Sequence, residues 1–136
     1  MPLPKEELYP IDDLYSLPEG ERAELIDGQI YDMAPPSRHH QEISMELSTA
    51  IQSYIRSKKG NCRVYAAPFA VQLDEDSHTY VEPDISVICD PKKLDEGGCK
   101  GAPDWIIEIV SPASRRMDYY TKLFRYRTAG VREYWI

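Results

Sequence analysis

The sequence predicts a single domain of mixed α/β class. Three observations predict it. Short runs rich in Val, Ile and Tyr are bounded by Gly, Pro, Asn and Asp. Two longer stretches repeat apolar residues every three or four positions. No repeat or low-complexity stretch interrupts the chain, and its 136 residues fit one domain able to bury a core.

The elements follow in order. Residues 1–10 hold three prolines and predict an irregular arm, and Ile11 to Leu17 a short helix stopped by Pro18-Glu19-Gly20. Arg22 to Met33 reads as a hairpin. Its turn is Asp27-Gly28, a pair that accepts the positive φ both positions of a type I′ turn require. Arg38 to Lys58 is a helix: Ser37 can cap it, Gly60-Asn61 ends it, and Ile43, Leu47, Ala50, Ile51, Tyr54 and Ile55 form one apolar stripe. Strands are expected near Arg63–Ala67 and Phe69–Leu73, kinked at Pro68, with an exposed turn over Asp74 to Ser77. Tyr80 to Cys89 reads as a further strand and Asp90 to Gly101 as a polar loop. Trp105 to Val110 is too apolar to alternate, which predicts a strand buried on both faces. A last helix has Ser111 as cap, Pro112 at its first position and Gly130 at its stop. Glu133 to Ile136 then begins a strand that stops mid-pattern, so a C-terminal strand region is expected to be missing.

Composition narrows the function. The N-terminus lacks the basic and apolar regions of a secretory signal, and no apolar run is long enough to span a bilayer. Cytoplasmic residence without a membrane partner is the expectation. Cys62, Cys89 and Cys99 are odd in number and without C-x-x-C spacing, which argues against both a disulfide framework and structural zinc. The net charge of −7 is unlike that of a nucleic-acid binder, but the charge is uneven. Residues 111–136 carry six bases against two acids. That segment is either a solvated helix face or a surface for phosphates.

The chemistry centres on two acids. Glu108 sits inside an apolar strand, and a buried carboxylate must be neutralised, paired or bound to a cation. Asp84 follows Pro83 at the start of another apolar strand. Two carboxylates on neighbouring strands suit Mg²⁺, which takes oxygen ligands and keeps waters for a phosphate substrate. Without a His/Cys cluster zinc is not expected. Lys122 lies four residues after Asp118, so it either forms a surface pair with that acid or reaches the scissile phosphate. Tyr126 shares its helix face. Glu24 is either a helper carboxylate or a solvated strand residue, and His40 is either near the site or part of the helix cap. Gly97-Gly98 lacks the Gly-Lys-Ser/Thr sequel of a phosphate-cradling loop, which disfavours a different metal-dependent hydrolase acting on a small phosphoester.

Read together, several segments resemble the Uma-two family of restriction endonucleases, within the PD-(D/E)XK nuclease superfamily. They are Ala23 to Gly28, Ser37 to Gln41 with His40, Pro83 to Val87, Ile107 to Pro112, Asp118 with Lys122, and Gly130 to Ile136. The resemblance implies a restriction-endonuclease-like mixed β-sheet flanked by helices. It implies that Asp84, Glu108 and the Ile109 carbonyl hold Mg²⁺ or Mn²⁺, that DNA is the substrate and that copies pair as a homodimer. The superfamily pattern has a lysine two residues after the second acid. Val110 stands there in this chain, and Lys122 is the implied replacement, with Glu24 as the helper acid and His40, Asp118 and Tyr126 around them. A binding or assembly module on the same fold, with the acids serving structure, is the alternative expectation.

Overall fold

The computed structural model describes residues 9, 11–73 and 78–136. All but residue 9 of the expected arm over 1–10, and the turn over 74–77, lie outside the described residues. Helix α1 (Ile11–Tyr15) leads into the hairpin of β1 (Ala23–Ile26) and β2 (Gln29–Asp32). Asp27 and Gly28 both adopt positive φ, as the turn chemistry requires. Helix α2 (Arg38–Ser57) starts where Ser37 accepts a hydrogen bond from the His40 amide. Strands β3 (Arg63–Ala66), β4 (Val71–Gln72), β5 (Tyr80–Val81) and β6 (Ile85–Ile88) follow. After a 3₁₀ turn at Pro91–Lys93 come β7 (Leu94–Asp95), β8 (Gly98–Lys100) and β9 (Trp105–Ile107). A π-helical stretch, Met117–Lys122, continues into α3 (Leu123–Ala129), and β10 (Glu133–Trp135) closes the order.

The strands form two mixed sheets, one ordered β2-β1-β5-β4-β8-β7 and the other β10-β9-β6-β3. The mixed α/β class read from the sequence holds, with the strands divided between two sheets. The segment expected as a single strand from Tyr80 to Cys89 breaks at Glu82-Pro83-Asp84, with β5 in the first sheet and β6 in the second. Pro83 has no amide to donate to a ladder, so pairing stops there. A second correction concerns Asp90 to Gly101. Rather than a loop, it holds the β7–β8 hairpin, docked in parallel on β4 through Val71↔Cys99. Gly98 makes that approach possible: its φ is +132°, and a Cβ there would collide with the Ala70 carbonyl, which accepts from the Cys99 amide at 2.9 Å. Third, Cys62 and Cys89 are disulfide-bonded, against the expectation from their odd count, and Cys99 is the free, buried thiol. They flank the β3–β6 ladder, whose end pair is Arg63↔Ile88.

The main core fills the space between the sheets. Ile26, Val71, Leu73 and Val81 meet Ile88 and Ile106 there, and Tyr126 of α3 joins them. A smaller cluster of Leu14, Ala23 and Leu25 sits beneath α1. Helix α2 has the predicted stripe but buries none of its residues fully. With Trp105 it borders an apolar cavity of about 510 Å³.

The core makes a stability prediction. Ile106 is fully buried at the middle of the second sheet. Ile106→Ala is expected to cost roughly 2–5 kcal/mol in urea denaturation. Met45→Ala, on the exposed side of α2, should stay within about 0.5 kcal/mol.

Candidate active site

The site forms where the chain crosses from one sheet to the other. Asp84 lies in that crossing, just before β6, and Glu108 follows the last ladder residue of β9. The register Ile85↔Ile107 places the two acids side by side, as the sequence predicted. They are locked reciprocally. The Asp84 amide donates to Glu108 Oε1 at 2.8 Å, and the Ile109 amide donates to Asp84 Oδ2 at 2.7 Å. His40, held in the first turn of α2, brings its Nε2 to 3.1 Å from Asp84 Oδ1. Both oxygens of Asp84 are therefore oriented by neighbours.

Lys122 enters from the helix. Its Nζ lies 2.5 Å from Glu108 Oε2 and 2.8 Å from Glu24 Oε1. Asp118 stands farther off, with Oδ1 at 4.0 Å. The reading of Asp118 and Lys122 as a surface pair is thereby corrected, because both side chains are buried. Glu24 is also buried rather than solvated, and its Oε2 accepts from the Glu82 amide at 2.9 Å. Asp118 accepts a bond from Ser114 Oγ at 2.6 Å. Ser111 accepts from the Ser114 amide at 3.2 Å in a turn over residues 112–114, so the helix expected from Pro112 starts later, with no side-chain cap on its π-helical stretch. The π-helical geometry after Arg116 widens the turn that presents Asp118 and Lys122; such distortions recur at functional sites.

Tyr126 shares the helix face but stands in the core behind Lys122, edge-on to Tyr134. Fully buried there, it does not meet a substrate from solvent. Sequence reasoning missed three further partners. Arg22 pairs with Glu82, Arg125 pairs with Asp27 at 3.1 Å, and Tyr134 donates to the Asp118 carbonyl at 2.8 Å. These contacts join residues distant in sequence, and no local pattern announces them.

The electrostatics follow from the count of groups. Glu24, Glu108, Asp118 and Asp84 gather around one ammonium and one imidazole. Glu108 is only 3% exposed. Burial pushes its pKa up to about 8 against the pull of Lys122, with Glu24 and Asp84 adding repulsion. Burial likewise raises Asp84, against the Ile109 amide, His40 and Lys122. Burial alone would lower Lys122, but Glu108 and Glu24 outweigh it and hold the ammonium charged well above neutrality. Excess carboxylate confined beside one lysine can be relieved by a proton or by a cation. The donors on offer are carboxylate oxygens plus one imidazole, a set that suits a hard divalent ion. Among the described residues, no group of three or more His, Cys, Asp or Glu side chains is placed to hold a metal ion by itself. The fit is to an ion that keeps part of its water shell.

Comparison with known proteins gives a consistent picture. The family described as "Uma2: Putative restriction endonuclease" matches residues 9–136. The uncharacterized protein slr1290 of Synechocystis sp. is 32% identical over 98 residues. That match takes in 72% of this chain and 50% of the relative, so the chain spans about half the length of the curated relative it matches. A crystal structure titled as a putative nuclease belonging to DUF820, from Anabaena variabilis, superposes with a TM-score of 0.71 at 24% identity. It covers 90% of this chain and 69% of its own, and it shows the fold.

The raised Glu108 pKa predicts a pH dependence in EDTA. Below about 4.5, folded and unfolded chains both hold this proton; above it, the unfolded chain releases the proton while the folded one keeps it up to about 8. Stability is therefore full at the acid end of this window and declines as pH rises through it. The melting temperature of the metal-free protein should fall between about pH 5 and pH 8. Glu108→Gln, whose amide oxygen still accepts from Lys122, should flatten that decline. A wild-type melting curve that does not change across the window would contradict the assignment.

Proposed function

The chain belongs to the Uma2 family of putative restriction endonucleases, and from that membership together with the site geometry we propose that it is a divalent-metal-dependent nuclease acting on DNA. The supporting observation is the cluster itself: two reciprocally bonded strand acids beside a buried lysine that a third acid also holds.

In this reading Asp84 and Glu108 would hold Mg²⁺ or Mn²⁺, with the Ile109 carbonyl as a further oxygen donor. Bound there, the ion would supply Lewis-acid polarisation of the scissile phosphate and make a water easier to deprotonate. The protein's own residues do the positioning. The Ile109 amide and His40 fix the Asp84 carboxylate, and the Asp84 amide fixes that of Glu108. Lys122 supplies positive charge where negative charge grows on the phosphate in the transition state. Glu24 keeps the lysine charged and aimed, and the amide of Glu82 keeps Glu24 in place. Asp118 lies within Coulombic reach of Lys122 and is held by Ser114. Pairing of two copies belongs to the same reading; sedimentation velocity measures it.

The test is cleavage of plasmid and single-stranded DNA in Mg²⁺ and Mn²⁺. The wild type should cut and EDTA should stop it. Glu108→Gln and Lys122→Met should each lower the rate by roughly 100-fold or more. Calorimetry should show Mn²⁺ uptake by the wild type and its loss in Asp84→Asn. Cleavage by Glu108→Gln at the wild-type rate would sink the assignment. A protein that takes up neither ion yet binds DNA would point to an assembly module built on the same fold.

A further inference from the structure

The helix that delivers Lys122 has a second face. Asp118, Lys122 and Tyr126 are buried on its inner side. On its outer side lie Arg115, Arg116, Tyr119, Tyr120, Phe124 and Arg127, all exposed. Tyr120 is 72% exposed, Phe124 65% and Tyr119 46%. Large rings left in water at four-residue spacing are a contiguous apolar strip, and such strips on a folded surface mark interaction sites.

The arginines say what the strip meets. The protein carries 23 acids against 16 lysines and arginines, so anionic partners are plentiful. Among the described residues, the ion pairs take up Arg22, Arg38, Arg125, Lys100 and Lys122; Arg115, Arg116 and Arg127 have none, and unlike Arg56, Arg63 and Arg132, which also have none, they flank the exposed rings of one helix. Unpaired guanidinium groups at both ends of an aromatic strip suit a polyanion with flat, apolar faces. Single-stranded nucleic acid has that chemistry: its phosphates go to the arginines, and its bases stack on the rings. A duplex hides the base faces and offers the rings little. The strip also connects to the site. Arg115 lines a small cavity with Val110, Ser111 and Pro112, directly after Ile109, whose amide holds Asp84.

We propose that the outer face of this helix is a binding surface for single-stranded nucleic acid, contacting phosphates through Arg115, Arg116 and Arg127 and stacking bases on Tyr120 and Phe124. A strand leaving the acid cluster past Arg115 would run onto these rings. This deepens the nuclease reading and rests on it for the strand's path, but binding itself needs no cation.

The experiment is fluorescence anisotropy of a short labelled thymidine oligonucleotide in EDTA, across a salt series, beside a duplex of the same length. The single strand should bind at least about 10-fold tighter than the duplex. Tyr120→Ala with Phe124→Ala should weaken it by roughly 30-fold or more while leaving the salt slope unchanged. Arg115→Ala with Arg116→Ala should lower the slope of log affinity against log salt by about 1.4. Both pairs are exposed, so circular dichroism should show intact folds. Equal or tighter duplex binding, no oligonucleotide binding, or an unchanged affinity in the ring variant would each overturn the proposal. So would a ring variant that alters only self-association in sedimentation, which would assign the strip to a second copy of the chain. Binding without cleavage in Mn²⁺ would overturn the nuclease reading alone; plasmid cleavage by a protein that ignores the oligonucleotide would overturn this one alone.

Discussion

One buried ammonium joins the two halves of the structure. Glu24 belongs to the first sheet, Glu108 directly follows β9 of the second, and Lys122 comes from the helix and pairs with both. Without the lysine, two carboxylates would face each other in a dry interior, and an uncompensated buried charge costs about 3–5 kcal/mol. The apolar core between the sheets supplies the larger gain, but it is not directional. The lysine is. It fixes how the sheets and the helix meet, and it does so at the crossing over Pro83 where pairing stops.

The same geometry accounts for the place of the lysine in the chain. The resemblance expected a lysine at position 110, but this chain has Val110 there, past the end of β9. Lys122 reaches Glu108 from the helix, across space rather than along the chain. A helix can place a side chain there only if the turn is aimed correctly. The π-helical stretch over Met117–Lys122 and the Ser111–Ser114–Asp118 bonds set that aim.

How much of this was legible depended on whether the cause was local. Glu108 was legible because a charge inside Trp105 to Val110 has no cheap explanation. The Asp27-Gly28 turn and the Ser37 cap were legible because each is decided within four residues. Glu24 was not, since a four-residue strand in a hairpin reads the same whether its acid meets water or a lysine 98 residues away. The break between β5 and β6 was missed because Val81 and Ile85 look like one strand until Pro83 is taken as a crossing. The β7–β8 hairpin was read as loop because its residues are polar, and only its docking on β4 explains Gly98. The Cys62–Cys89 bond was missed because pairing by parity ignores the β3–β6 register that brings the two together.

An acidic protein that handles a polyanion must keep its negative charge away from the path of that polyanion. Here the acids nearest the chemistry are drawn inward, around Lys122 and beside His40. Arg115, Arg116 and Arg127 stay outside, on the other side of the same helix. Turning one helix so that its acid and lysine face the sheets and Arg115, Arg116 and Arg127 face water separates the two charges within a single element. The net charge of the chain therefore says little about its partner; the sidedness of this helix says more. The inward face concentrates negative charge that a cation would relieve, and the outward face offers the positive charge that a phosphate chain would meet first.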